Sequence, residues 1–243
     1  MWKRFINLFF YIYRPILFTL IAVDTAALGL ISAITCIFDH KGNIAYFIVG
    51  RFWSRLNLML SGVSVKVEGL EKIDRNQSYI VMSNHQSHFD VWALIAFLPL
   101  QLRWVMKKEL RKVPVFGYCC DRMGHIYVDR GDSEKARESL QVAGEKMRAG
   151  ASLFFFPEGT RSPRKEMLPF KKGGFVIALA TGMPILPISV KGGREILPKN
   201  SIKIMPGEMI ICIHDPLFVD EYSYDTRDKL MSRVRRIIED GLA

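Results

Sequence analysis

Residues 83–90 read SNHQSHFD and put His85, His88 and Asp90 within six positions, directly after the apolar run 79–82. Three chemistries suit such a cluster. Two imidazoles and a carboxylate can ligate a metal, but a catalytic zinc usually draws a ligand from elsewhere, and His40, His125 and His214 supply no matching motif. Ser87, followed three residues later by Asp90 ahead of the apolar run 91–98, fits a capping box. The third is an acid/base pair. Residues five apart on one continuous helix point about 140° apart, so His85 and Asp90 meet only if His85 precedes the helix. The carboxylate then orients the ring through one nitrogen and leaves the other to accept a proton from a hydroxyl. No G-x-S-x-G sequence is present, which disfavours a serine hydrolase of the nucleophile-elbow type.

A second cluster follows another apolar run. Residues 156–162 read FPEGTRS, with Arg164, Lys165, Lys171 and Lys172 close behind. A glycine-containing loop with open backbone N–H groups and a guanidinium fork suits a phosphate or an oxyanion.

The elements that must position these groups are legible in the hydrophobic pattern. After Gly62, short apolar strands at 63–67, 79–83, 102–106, 126–128, 152–156 and 185–190 alternate with helical segments, which predicts an α/β fold with a mixed sheet flanked by helices. A helix is predicted over 134–149, with Ala136, Leu140, Ala143 and Met147 on one face and Gly150 as its stop. Residues 202–205 and 209–213 read as paired strands around Pro206 and Gly207, and 226–240 as a closing helix.

The front of the chain has a different character. Residues 16–38 are interrupted by one charge, Asp24, and preceded by Lys3, Arg4 and Arg14. Twenty-three helical residues reach roughly 35 Å, against a hydrocarbon core of about 30 Å. Asp24 opposes a simple crossing by about 2.5–3.5 kcal/mol. After a turn at 40–43, residues 44–60 set Arg51 and Arg55 opposite an apolar stripe of Ile44, Phe47, Ile48, Phe52 and Met59, as in a helix lying among lipid headgroups. Packing into the protein core is the competing explanation. The expected organisation is an anchoring helical hairpin over 1–61 and a catalytic α/β domain over 62–243.

Composition agrees with a membrane-associated enzyme. Hydrophobic residues make up 49% of the 243, and the net charge is +10. A basic excess suits anionic lipid or nucleic acid. Here the charges flank apolar segments and no basic run is interleaved with stacking aromatics, so nucleic acid is not expected. Cys36, Cys119, Cys120 and Cys212 form no C-x-x-C pair and read as reduced core residues.

NHQSHFD at 84–90 together with FPEGTRS at 156–162 resembles the glycerolipid acyltransferase family, in particular its 1-acyl-glycerol-3-phosphate acyltransferases of the PlsC type. GHIYVDR at 124–130 and MPILPIS at 183–189 resemble further blocks of that family, in the family's order. The resemblance implies a glycerol-3-phosphate acyltransferase-like fold. It also implies transfer of a fatty acyl group from acyl-CoA or acyl carrier protein to the hydroxyl of lysophosphatidic acid, giving phosphatidic acid without a cofactor, a metal or an acyl-enzyme. By the same resemblance His85 is the general base and Asp90 its orienting partner, Glu158 and Gly159 belong to the catalytic loop, and Arg130 and Arg161 hold the acceptor phosphate. Lys107 matches a basic position near the acceptor, with Lys108 an equal candidate. Asn84, Thr160 and Lys172, within or beside the two blocks, complete the expected substrate contacts, and His88 receives no role. For Arg130 a surface pair with Asp129 or Asp132 is the alternative, and Glu158 has the alternative of orienting the arginines. The implied location is the cytoplasmic face of the inner membrane. Glycerol-3-phosphate, another lysophospholipid, or lipid binding without turnover are the competing expectations.

Overall fold

The structure is a computed structural model that describes residues 2–39, 42–129 and 151–243; Arg130 and the helix expected at 134–149 lie outside these described residues. Seven strands form one sheet: β1 (Val63–Glu68), β2 (Ile80–Ser83), β3 (Leu102–Lys107), β4 (Ile126–Val128), β5 (Ser152–Phe155), β6 (Ile185–Lys191) and β7 (Gly207–Ile213). Their order is β1-β7-β6-β2-β5-β3-β4. The run from β6 through β2, β5 and β3 to β4 is parallel, and β7 lies antiparallel to β6. The mixed sheet agrees with the sequence.

The strands at the centre are apolar apart from a serine at one end of each, Ser83 and Ser152, because both faces of the sheet are covered. Every residue of β2 and β5 is buried. Alternate side chains feed opposite cores: Val81 packs with Phe89, Ala93 and Leu94 of α3 (Phe89–Phe97), while Ile80 and Met82 pack with Phe175 and Ala178 of the helix Gly173–Thr181 and with Leu230 and Val234 of the closing helix Arg227–Asp240. The closing helix buries Leu230, Val234 and Ile238 at four-residue spacing, the stripe that its sequence pattern dictates.

The paired strand expected at 202–205 is absent. Both edges of β7 are taken, one by β1 in parallel and the other by β6. Pro206 has no N–H for a ladder, and the segment is tied instead by Met205 N–H to the Ile196 carbonyl at 3.0 Å.

At the front, α1 (Trp2–Phe38) is followed by a π-helical turn, Ala45–Gly50, that runs into α2 (Arg51–Leu60). The stretch Tyr13–Phe38 has a mean hydropathy of 2.1 and is long and apolar enough to cross a membrane. It does not stand apart from the body. Arg122 of α4 (Phe116–Arg122) donates to the Cys36 carbonyl at 2.9 Å, and Arg14 reaches Met205 Sδ at 3.2 Å. The two faces of α2 and the turn before it are inverted relative to a water-facing helix. Arg51 donates to the Leu98 carbonyl at 2.6 Å and Arg55 lies 5.6 Å from the Phe97 ring, so both cations point at the protein. Ile48 and Phe52 point outward, 64% and 57% exposed, and join an outward row on α1 that ends at Phe38. An apolar surface of this extent marks a lipid or protein contact.

Candidate active site

Because β2, β3, β4, β5 and β6 run parallel, their carboxyl ends lie along one edge of the sheet. From the neighbouring strands β2 and β5 the chain leaves toward opposite faces, from β2 into α3 on one and from β5 toward the helix Gly173–Thr181 on the other, and open α/β sheets bind ligands at such a switch. Residues 84–90 leave β2 and residues 156–162 leave β5 at that edge.

Asn84 extends the β2–β6 pairing with its side chain. Its Nδ2 donates to the Val190 carbonyl and its Oδ1 accepts from the Val190 N–H, both at 2.8 Å, and the side chain is fully buried. The expected substrate contact at Asn84 is therefore corrected to a structural one, since the side chain is fully buried and both ends of its amide are bonded to Val190. With Asn84 fixed, the chain turns out of the sheet at His85.

The His85 main chain is held on both sides by the other motif. Its N–H donates to Glu158 Oε1 at 2.8 Å and its carbonyl accepts from Ser162 N–H at 2.8 Å. The imidazole lies flat on Phe156, with centroids 3.7 Å apart and planes 9° apart. Its Nδ1 is 3.0 Å from Asp90 Oδ2, and the His85 side chain is 14% exposed.

Asp90 Oδ2 also accepts the backbone N–H groups of Gln86 at 2.7 Å and Ser87 at 2.8 Å. One carboxylate oxygen thus closes the first turn of α3 and aims the ring, so capping and acid/base pairing are two uses of one group. Asp90 forms its half of the capping box with the Ser87 N–H, while Ser87 Oγ donates to the Leu197 carbonyl at 2.9 Å and accepts the Phe89 N–H at 3.3 Å rather than that of Asp90. An acceptor at Nδ1 fixes the neutral tautomer with its proton on Nδ1, leaving the Nε2 lone pair for a substrate proton. His88 is exposed at the start of α3, and His85, His88 and Asp90 form no three-ligand group among the described residues. Partial desolvation and then the nearby Arg161 cation lower the His88 pKa.

Glu158 is buried, 2% exposed, and bridges His85 N–H to Leu168 N–H, which reaches its Oε2 at 2.7 Å. Burial pushes its carboxyl pKa up, and the two N–H donors and Arg235 oppose that shift. The catalytic placement of Glu158 is therefore corrected: buried, it touches backbone and fixes the His85 main chain rather than lying open to a substrate. Among the described residues its two oxygens meet the His85 and Leu168 N–H groups and not Arg161. Gly159 follows at φ +73°, a left-handed turn that favours glycine, and a Cβ there would press on the Lys171 side chain. Thr160 is exposed, with Oγ1 3.4 Å from Lys199 Nζ, and Lys199 also donates to the Arg161 carbonyl at 2.8 Å. Lys172 is exposed at the start of the helix Gly173–Thr181. Lys107 ends β3 on the same sheet edge, exposed and 3.4 Å from Glu109, while Lys108 is 3.6 Å from Asp129.

The acyltransferase family profile matches residues 64–191, which span both motifs and the sheet edge between them. The chain belongs to this acyltransferase family. It is 30% identical to the 1-acyl-sn-glycerol-3-phosphate acyltransferase of Saccharomyces cerevisiae, over 98% of this chain and 79% of the relative. It is 28% identical to that of Salmonella typhimurium, over 96% and 93%. The chloroplastic relative from Brassica napus is 32% identical, and the match spans only 61% of its length. The crystal structure of the 1-acyl-sn-glycerophosphate (LPA) acyltransferase from Thermotoga maritima superposes with a TM-score of 0.79 at 27% identity, covering 98% of this chain and 95% of that one.

The acyltransferase site also uses residues that were not singled out beforehand. Phe156 supplies the floor under the His85 ring. Gly193, in the short helix Gly193–Ile196 after β6, backs the catalytic carboxylate: a Cβ there would run into Asp90 Oδ1 and lie 3.0 Å from Ser87 Cβ. The glycine pair at 192–193, directly after an apolar strand, was the available signal. Gly193→Ala is expected to lower kcat about tenfold or more by tilting the carboxylate away from the ring. An unchanged kcat in steady-state assays would mean that the carboxylate has room to move.

Proposed function

We propose that this acyltransferase moves a fatty acyl group from acyl-CoA or acyl carrier protein to the free hydroxyl of lysophosphatidic acid, forming phosphatidic acid. His85 Nε2 takes the hydroxyl proton as that oxygen attacks the thioester carbonyl. The tetrahedral intermediate then expels the thiolate, which receives the proton back from the imidazolium. Asp90 supplies the counter-charge while the ring is cationic. A thioester is already activated, so a positioned base and a site for the oxyanion suffice, with no covalent acyl-enzyme and no cofactor. The observation that carries this reading is the 3.0 Å contact between His85 Nδ1 and Asp90 Oδ2 beside the basic loop of Arg161 and Lys199. A lysophospholipid phosphate has matching charge for Arg161, Arg130, Lys107, Lys172 and Lys199.

The outward apolar surface of α1 and α2 keeps the acceptor in the bilayer within reach of the sheet edge, at the cytoplasmic face of the inner membrane. Purified, detergent-solubilised protein is expected to release thiol from acyl-CoA or acyl carrier protein only when lysophosphatidic acid is added. Turnover with glycerol-3-phosphate or another lysophospholipid instead would reassign the acceptor. Vesicle binding with no thiol release from any pair of donor and acceptor would overturn the enzymatic reading.

A further inference from the structure

We infer that Arg235, on the closing helix Arg227–Asp240, is a positioning residue for acyl transfer that acts through the main chain of residues 167–168 and Glu158 on the His85 backbone. The inference rests on the proposed role of His85 as base. The path is a continuous series of hydrogen bonds. Arg235 NH2 donates to the Met167 carbonyl at 2.9 Å and NH1 to the Leu168 carbonyl at 2.7 Å. Leu168 N–H then donates to Glu158 Oε2 at 2.7 Å, and His85 N–H donates to Glu158 Oε1 at 2.8 Å.

Three features separate this from an ordinary surface arginine. The planar fork meets two successive carbonyls with two charge-assisted bonds, which fixes direction as well as distance. Residues 163–172 contain no helix or strand, so their shape depends on tethers rather than on a ladder. Arg235 is one of few such tethers, with Gln86 Nε2 to the Lys165 carbonyl at 2.7 Å and Ser162 Oγ to the Glu166 carbonyl at 2.7 Å. Finally, burial and the like charge of Asp90 raise the Glu158 pKa, and the Arg235 cation joins the Leu168 and His85 N–H donors in opposing that shift. Arg235 also pairs with Glu239 at 2.8 Å, but an i, i+4 pair with both partners partly exposed contributes little. Its purpose is better read from the two carbonyls.

Hydrogen–deuterium exchange by mass spectrometry and steady-state kinetics on the full chain in detergent test this. Arg235→Met is expected to lower kcat about tenfold while both KM values stay within about twofold, because the base shifts and the substrate contacts do not. Exchange should rise in peptides covering 84–90 and 156–170 and stay unchanged in β1, β7 and the rest of the closing helix. Glu158→Gln should reproduce the rise at 84–90, since its amide puts an NH2 donor in place of one of the two acceptor oxygens that the His85 and Leu168 N–H groups need. Glu239→Gln leaves the two carbonyl bonds in place and should keep kcat. Arg235→Lys, which keeps the charge without the fork, is expected to lose about threefold in kcat, and it carries the test if the methionine variant does not fold.

An Arg235→Met or Arg235→Lys enzyme with wild-type kcat and wild-type exchange at 84–90 overturns the inference. So does a loss of kcat in which exchange rises along the whole closing helix, which marks general loosening. If the wild-type protein shows no acyl transfer, the proposed function fails instead, and the exchange pattern alone decides whether the relay exists.

Discussion

His85→Ala is expected to lower kcat by about 10²–10⁴-fold, the usual contribution of a positioned general base, while the protein stays folded. The structural cost is small because the ring is one face of a stack on Phe156 and its backbone contacts to Glu158 and Ser162 survive the change. Circular dichroism and thermal melting should be close to wild type, and thiol release with lysophosphatidic acid should fall to near background. KM for the acceptor should change little, since the phosphate contacts belong to other side chains. A His85→Ala enzyme with full turnover would remove the base from the mechanism.

Asp90→Asn is expected to lower kcat by about 10²–10³-fold with only a small change in melting temperature. In many sites such a change lets the amide flip and present N–H to the imidazole. Here the backbone N–H groups of Gln86 and Ser87 both point at the same oxygen, so a flip would set donor against donor. The amide oxygen therefore stays at Oδ2, the ring keeps its tautomer, and the lost rate reports the missing counter-charge. Asp90 is 1% exposed and its Oδ1 has no hydrogen-bond partner, so removing the charge also relieves a burial cost that offsets the weaker bonds. Unchanged kcat in Asp90→Asn would mean that no imidazolium forms in the rate-limiting step.

The His85–Asp90 pair was legible from the family resemblance of its motif, and the spacing of five added the condition that the two side chains meet only if His85 precedes the helix. The strands were legible from their composition: β2 and β5 are buried on both faces and are apolar apart from one terminal serine each. The role of Glu158 was not. An acid in a glycine-containing loop suggests chemistry, but its use depends on which backbone N–H groups face it, and those come from residues 73 and 10 positions away. Asn84 was misread for the same reason, since Val190 reaches it only through the sheet order. Residues 202–205 have strand composition yet find no free edge, because pairing is decided by the crowding around β7. Gly193 was invisible as a site residue until α3 and the turn after β6 were side by side.

The outward-facing Ile48 and Phe52, with both nearby arginines turned inward, have a practical corollary for handling the protein. Stripped of amphiphile, that surface has only copies of itself as cover. Particle mass will then rise as the detergent-to-protein ratio falls, and in plain buffer it reports self-association of that surface rather than a biological quaternary state.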